Sequence, residues 1–449
     1  MFKSITPLLL GMCITCSLSA QQVTGKLDTL LRAYAAINEF NGAALAAQNG
    51  HILLEKGYGM ANQAAHTPNT PNTVFQIASV TKTFTSALIL KLAELHILST
   101  DDKLSKYYPD YPHGDSITIR HLLTHTSGIY NYTQDTSFNP GFSTRPASEE
   151  KMRSLFENRP LDFAPGAGWN YSNSGYSMLG YIVQKATGGA YWDAMKKYVF
   201  RPAGMQHSGF DFAHLVNKNK ATGYFSDNDE AYTKETPVVD SSMSFAAGAI
   251  YSTVGDLFRF HEALQHGKII SQASQEAAYT PFRNRYGFGW IIDSVGGHKI
   301  VSHSGGIYGF RSNFLRVVRD DICIVLLSNT ETPALEKISR KLLAAVYHLP
   351  YKIPEKKVAV KLNEDLLKKY TGTYKIESPA LVIEIKLENG ELVAYPANGP
   401  RSVLCPSDTT HFFIKGDEDF DTRFVTDSAG KVVAFIIDHD GNVRTAKRL

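Results

Sequence analysis

The sequence predicts an α+β domain, an antiparallel sheet flanked by helices, followed by a small all-β barrel-like domain. Strand-like patterns occur near the N-terminus and again between 286 and 329, with helical signals between them, the layout of a sheet begun early and finished late. A proline-interrupted charged segment, 348-HLPYKIPEKK-357, breaks the pattern. Beyond it, short period-2 strands alternate with turn pairs. At 449 residues, with 43% hydrophobic and 20% charged residues, the chain is long enough for more than one core. A formal charge of +3 on scattered Lys and Arg argues against a nucleic-acid surface or a polybasic membrane anchor.

The elements follow in order. Lys3, the apolar run Pro7 to Leu18 and the small residues up to Ala20 have the layout of a secretory signal peptide over 1–20. Its removal takes one lysine, leaving +2, and two of the four cysteines. Met12 and Thr15 before Cys13 and Cys16 argue against a lipid anchor. Cys323 and Cys405 are expected as separate buried thiols. Asn41 to Asn62 reads as a hairpin turning at Asn49-Gly50, and Ser79 to Leu95 as a central apolar helix. Helical pieces and Gly/Pro/Ser/Asn-rich loops fill 117–220, and a helical signal recurs at Val254 to Gln265. The runs 286-YGFGWIIDS-294, 299-KIVSHSGG-306, 311-RSNFLRVVRDD-321 and 322-ICIVLLSN-329 read as consecutive antiparallel strands, followed by a helix over Pro333 to Tyr347. The expected division is a domain over 21–350, a linker over 351–359 and a β-domain over 360–449, in which 381-LVIEIKLENGELVAYPA-397 shows the alternation most clearly. No stretch beyond residue 20 approaches 18 consecutive apolar residues, so no transmembrane segment is expected after signal cleavage.

Ser79 stands three residues before Lys82 at the mouth of an apolar helix. A serine hydroxyl is a poor nucleophile until a neighbouring base accepts its proton, and the i, i+3 spacing puts the amine on the same face. One S-x-x-K match is expected by chance in a chain this long, about one or two in all. Its weight comes from two later stretches, 169-WNYSNSGY-176 and 303-HSGG-306. Tyr171 and Asn173, two apart, project to one side of an extended segment, and His303 to Gly306 lie on an interior strand. In this order the three resemble the S-x-x-K, Y-x-N and K-T-G-type motifs of the penicillin-binding-protein and class C β-lactamase superfamily. The stretches 121-HLLTHTSGI-129, 202-PAGMQHS-208, 246-AAGAIYSTVGDLFRF-260 and 303-HSGGIYGFRS-312 are similar to β-lactamase-related serine hydrolases. The resemblance covers about 38–345, and residues from about 360 resemble the lipocalin-like β-domain that often follows such hydrolases.

The resemblance implies an acyl-enzyme on Ser79, with Lys82 and Tyr171 as the proton-transfer pair. Either of the two can serve as the base, because their titrations are coupled. It further implies that Asn173 binds Lys82 and the substrate amide, and that His303, Ser304, Gly305 and Gly306 line the substrate. The Ser79 and Gly306 N–H groups would form the oxyanion hole. His303 stands where antibiotic-linked members carry lysine, which points towards the esterase, D-amino-acid amidase and peptidase branches. As a histidine near pKa 6.5, it is expected to face a substrate carboxylate. His121 and His125 have i, i+4 spacing, but Leu122 occupies the place of the glutamate in H-E-x-x-H, so structural histidines are expected rather than a metal site.

The expected function is that of an exported serine acyl hydrolase, periplasmic or secreted, acting without cofactor or metal on a small-molecule or peptide amide or ester. A D,D-peptidase, D-amino-acid amidase or β-lactamase-like activity leads. A carboxylesterase is the alternative, and a penicillin-binding sensor that acylates without turnover is the rival outside enzymes.

Overall fold

The computed structural model describes residues 8–225, 232–397, 399–414, 417–439 and 442–449. It divides into two compact units, Met1–Tyr347 and His348–Leu449. Residues 349–363, which contain the expected linker, form neither helix nor strand.

In the first unit, helix α1 (Leu8–Ala36) precedes the hairpin of β1 (Gly42–Gln48) and β2 (His51–Tyr58). Asn49 and Gly50 have φ of 52° and 73°, so both turn residues occupy the left-handed region that a two-residue hairpin with this strand twist requires. Helix α2 (Thr81–Glu94) follows a 3₁₀ turn at Ala78–Val80, and α3 (Ile119–Leu123), α4 (Asn173–Thr187), α5 (Ser241–Gly248) and α6 (Val254–Gln265) follow among other, shorter helical pieces. The chain returns to the sheet through β3 (Ile291–Val295), β4 (His298–Ile307), β5 (Phe310–Val317) and β6 (Ile322–Ser328), and then forms α7 (Leu335–Val346). The expected strand over 286–294 is shorter, because Tyr286–Trp290 form a buried loop.

The six-stranded antiparallel sheet has the order β2-β1-β6-β5-β4-β3. The earliest strand meets the last, with Leu45 opposite Val325. The uninterrupted apolar run of β6 is explained by burial on both faces. Cys323, Val325 and Leu327 join the main core with α2 and α6. Ile322, Ile324 and Leu326 point the other way by the strand's period of two and are equally buried. Helix α7 packs on β5 and β6, and α1 packs on α7 and β2. The periodicity behind α1 was legible: Val23, Leu27, Leu30, Leu31 and Tyr34 are its buried stripe. The expected signal peptide includes residues 1–7, which lie outside the described residues, while residues 8–20 begin α1. No described helix is long and apolar enough to cross a membrane.

The second unit is a closed barrel of eight antiparallel strands in sequence order, from β7 (Gly372–Glu377) through β8 (Ala380–Glu388), β9 (Glu391–Pro396), β10 (Ser402–Pro406), β11 (His411–Ile414), β12 (Asp417–Thr426) and β13 (Val432–His439) to β14 (Asn442–Arg448). Pairing of Tyr374 with Arg448 closes it. Its interior is filled by rings: Tyr370 stacks on Phe424 at 4.3 Å, and Phe412 meets Phe424 edge-on at 5.3 Å. Both cysteines of the folded units are free, Cys323 buried and Cys405 half-buried.

Arg316 on β5 has no exposed surface. Its Nε donates to His261 Nδ1 at 2.9 Å, Nη2 donates to Gln265 Oε1 at 3.2 Å, and Nη1 donates to the Tyr279 hydroxyl. Replacing it leaves these acceptors buried without a donor. Arg316→Met is therefore expected to lose about 3 kcal/mol or more of unfolding free energy in urea titration. A loss below about 1 kcal/mol would show that the three acceptors find other partners.

Candidate active site

Ser79 lies in the 3₁₀ turn that leads into α2, so its hydroxyl sits at the positive end of a fourteen-residue helix. Ala78 before it has φ of 46°, which turns the chain sharply there. One turn on, Lys82 is fully buried among the apolar side chains of α2. Its Nζ lies 3.1 Å from Ser79 Oγ, 2.8 Å from Asn173 Oδ1 and 2.8 Å from the Ala247 carbonyl. Burial pushes the Lys82 amine well below its usual range.

Tyr171 closes the group. Lys82 Nζ lies 4.8 Å from the centre of its ring, and the Ser79 side chain is near enough to its hydroxyl to favour the phenolate. Burial raises the phenol above its usual range, and Ser79 only partly opposes this. Asn173 is the first residue of α4, behind the Ser172 N-cap that accepts from Gly175 N–H. Its backbone N–H donates to Asn131 Oδ1 at 3.1 Å, and its Nδ2 donates to Thr133 Oγ1 at 3.2 Å.

The pairing of β4 with β3 ends at Ser302 opposite Ile291, while its pairing with β5 continues to Ile307. The Ser304–Ile307 end of β4 therefore has one neighbouring strand, and the 3₁₀ turn of Ser79 packs against it. Ser312 on β5 donates to the Ile77 carbonyl at 2.7 Å, which ties that turn to the sheet. Gly306 and Ser79 line a cleft of about 510 Å³ together with Asn173, Tyr132, Arg311 and Glu331. Arg311 and Glu331 pair at 3.1 Å. Gly305 is turned away from the cleft: a Cβ there would lie 2.3 Å from the Ile77 carbonyl oxygen and 3.1 Å from Ser79 N. Its lack of a side chain lets the turn of Ser79 reach the strand, a different reason from the substrate approach expected of it. Ser304 is exposed.

His303 differs from expectation. It is 2% exposed and turned into the protein. Its Nδ1 donates to the Ser304 carbonyl at 2.6 Å, so Nε2, 2.9 Å from the Tyr286 hydroxyl, is the acceptor of the neutral ring. Burial pushes its pKa down to about 3, with Lys82 adding to the effect. A ring so placed does not titrate between pH 6 and 8 or present a charge to a carboxylate. Burial, which the strand pattern alone does not measure, is the reason.

His121 and His125 are held apart in role. His121 completes the capping box of α3 with Thr118, while His125 is buried beside Tyr171. The side chains of His261, Glu262 and Asp321 offer ligand atoms within 4.8 Å of one another. Arg316 Nε–H donates to His261 Nδ1, so the neutral ring carries its proton on Nε2, facing Asp321 Oδ1 at 3.0 Å. A metal on Nε2 would move that proton to Nδ1, against the Arg316 donor, and the cluster is better described as a hydrogen-bond network around a neutral His261.

Residues 27–348 match the Beta-lactamase family. Penicillin-binding protein 4* of Bacillus subtilis is 32% identical over 448 residues, covering 94% of this chain and 98% of that protein. The chain belongs to the Beta-lactamase family. It is a serine hydrolase with a β-lactamase-like α+β fold and a C-terminal barrel. The octameric penicillin-binding protein homologue from Pyrococcus abyssi superposes with a TM-score of 0.69 at 25% identity, over 94% of this chain and 99% of that one. The D-amino acid amidase of Ochrobactrum anthropi, with a TM-score of 0.64 at 23% identity over 73% of this chain and 99% of that one, shares the fold. The stretches 121–129 and 246–260 resemble the family without a motif that assigns them a role in the chemistry. In the fold, His125 and the Ala247 carbonyl from those stretches touch the site.

Gly305→Ala is expected to lower kcat/KM by about a hundredfold or more, because the turn of Ser79 must retreat from β4. The measurement is steady-state hydrolysis of a p-nitrophenyl ester alongside a melting curve. A folded variant within about threefold of the parent would mean that the turn shifts without harm.

Proposed function

We propose that this chain is an exported acyl hydrolase in which Ser79 is the nucleophile, Lys82 its base and Tyr171 the acid that protonates the leaving group. The observation that carries this reading is the contact set of Lys82. A free amine has two N–H donors and one lone pair. Asn173 Oδ1 and the Ala247 carbonyl are acceptors, so the remaining contact, to Ser79 Oγ, is where the lone pair receives the serine proton. The opposite shifts of Lys82 and Tyr171 both favour uncharged forms, amine and phenol. Of the alternatives left open in the sequence, this favours Lys82 as the base for acylation.

Proton transfer to Lys82 frees Ser79 Oγ to attack the carbonyl carbon. The oxygen that becomes negative is received by the Ser79 N–H, in the turn that leads into α2, and the Gly306 N–H on β4. As the tetrahedral adduct collapses, the bond to the leaving group breaks and Tyr171 supplies the proton. Water then attacks the acyl-enzyme by the reverse roles. Asn173 holds Lys82 in place and offers its amide to the substrate.

The likeness to penicillin-binding protein 4* over almost the whole chain supports a D,D-peptidase or D-amino-acid amidase reading. The neutral, inward His303 supports the second reading, a carboxylesterase, because no lysine stands at that place to hold a carboxylate. Export rests on the composition of residues 1–20. Intact-mass measurement of protein recovered from an expressing cell is expected to show an N-terminus at Gln21, and retention of Met1 would overturn export by this route.

The experiment for the mechanism joins labelling to a pH profile. A phosphonate should add its mass to the peptide containing Ser79, and Ser79→Ala should abolish turnover. Because the Lys82 pKa is depressed and the Tyr171 pKa raised, kcat/KM should climb on the acid side and hold a plateau through about pH 9. Labelling at another serine would sink the nucleophile. A decline setting in between about pH 7 and 9 would mean that Lys82 acts as the cation.

A further inference from the structure

The mechanism above gives no task to a buried histidine beside the site. His125 is 1% exposed, has φ of 58°, and belongs to the loop after α3. That loop runs alongside the segment carrying Tyr171: Asp162 N–H donates to the Gly128 carbonyl at 2.8 Å, and Gly166 N–H to the Thr126 carbonyl at 2.8 Å. The last two bonds of this series both end on His125. Asn170 N–H donates to its carbonyl at 3.1 Å, and Ser172 N–H donates to its Nδ1 at 3.1 Å. The two residues that flank Tyr171 are thus tied to one histidine. The imidazole also packs on the Tyr171 ring, with centroids 4.3 Å apart.

We infer that His125 is the positioning residue for Tyr171, gripping the backbone on both sides of it and backing its ring so that the phenol stays aimed at the leaving group. The inference rests on the reading of Tyr171 as the leaving-group acid. Histidine suits the place for three separate reasons. It tolerates the left-handed backbone better than most side chains. Its Nδ1 accepts a hydrogen bond, and its ring supplies a flat face. Burial, with Lys82 and His303 nearby, holds its pKa well below the usual range, so Nδ1 stays an acceptor. Tyr176 and Tyr286 pack on the ring at 5.0 Å and 4.6 Å, which prevents it from swinging away.

A phenol that has lost its aim harms only reactions that need the proton. A p-nitrophenolate leaves without one, whereas an alkoxide does not. The test is the ratio of acylation rates for the ethyl and p-nitrophenyl esters of one acid, with melting curves as the control for folding. His125→Phe keeps a ring but removes the acceptor, and should lower the ratio about tenfold or more while the p-nitrophenyl ester acylation rate stays within about threefold. His125→Asn restores an acceptor at the position of Nδ1 and accepts the backbone angle, and should hold the ratio within about threefold of the parent. If His125→Phe does not fold, His125→Asn carries the test alone, and a larger shift overturns the inference. A ratio lowered in Tyr171→Phe but unchanged in His125→Phe overturns the grip alone. A ratio unchanged in Tyr171→Phe overturns the acid assignment and this inference with it.

Discussion

The burial of Lys82 is the constraint on which the site depends. An ammonium at that depth would surrender its hydration, and the compensation beside it is two neutral acceptors, a hydroxyl and the faces of the Tyr171 and Tyr176 rings. The free amine is therefore favoured, and the same desolvation acts on its neighbours. His125 and His303 are pushed towards the neutral ring, while Tyr171, Tyr176 and Tyr286 are pushed towards the phenol. The result is a polar cluster held without formal charge. Arg311 and Glu331 carry charge at the cleft and largely spend it on each other. Stabilisation of a developing negative oxygen then falls to backbone N–H groups and the end of α2, fixed dipoles that need no reorganisation.

Fixed dipoles are useful only where the backbone holds them still, and three distant segments share that task. The sheet anchors the turn of Ser79 through Ser312 and the close approach at Gly305. The loop after α3 holds Tyr171 and Asn173 through His125 and Asn131. The end of α5 supplies the Ala247 carbonyl to Lys82. Apart from the close approach at Gly305, each support is a hydrogen bond to backbone or to a buried side chain, so the geometry is set by elements that also form the core.

What was legible in the sequence follows the range of each interaction. The i, i+3 relation of Ser79 and Lys82 is local, and the Asn49-Gly50 hairpin is local too. The ordered motifs placed Tyr171, Asn173 and Gly306 by resemblance, and the fold brings Asn173 and Gly306 to the cleft of Ser79, with Tyr171 beside Lys82. Illegible features depend on tertiary contact or depth. The Ala247 carbonyl is a backbone atom, and no residue type announces it. The part played by His125 requires knowing that the loop after α3 runs beside residues 162–172. The direction of His303 depends on Tyr286, which the expected strand over 286–294 would have placed in the ladder instead of in a loop beneath it. Helix α1 is not among the expected elements, although its buried stripe from Val23 to Tyr34 has helical spacing just beyond the leader-like residues 1–20.

Backbone strain shows what the core contributes in return. Three non-glycine residues with positive φ each stand next to a group of the site: Ala78 at 46° precedes Ser79, His125 at 58° is tied to both neighbours of Tyr171, and Phe245 at 35° lies two residues before Ala247. Such conformations cost about 1–3 kcal/mol each and persist only where the surroundings enforce them. For Phe245 the enforcing contacts are visible. Its ring stacks on Tyr181 at 4.9 Å and leans on Tyr191 at 5.1 Å. Gly180 leaves the room it needs, since a Cβ there would lie 2.5 Å from the ring. Aromatic packing remote from the substrate thus holds the kink in α5 that brings the Ala247 carbonyl to Lys82. The amine is then oriented by a carbonyl whose own position depends on a ring buried on the far side of the helix. The precision of the proton-transfer pair is in this sense a property of the core, transmitted through a strained backbone rather than through any side chain of the site itself.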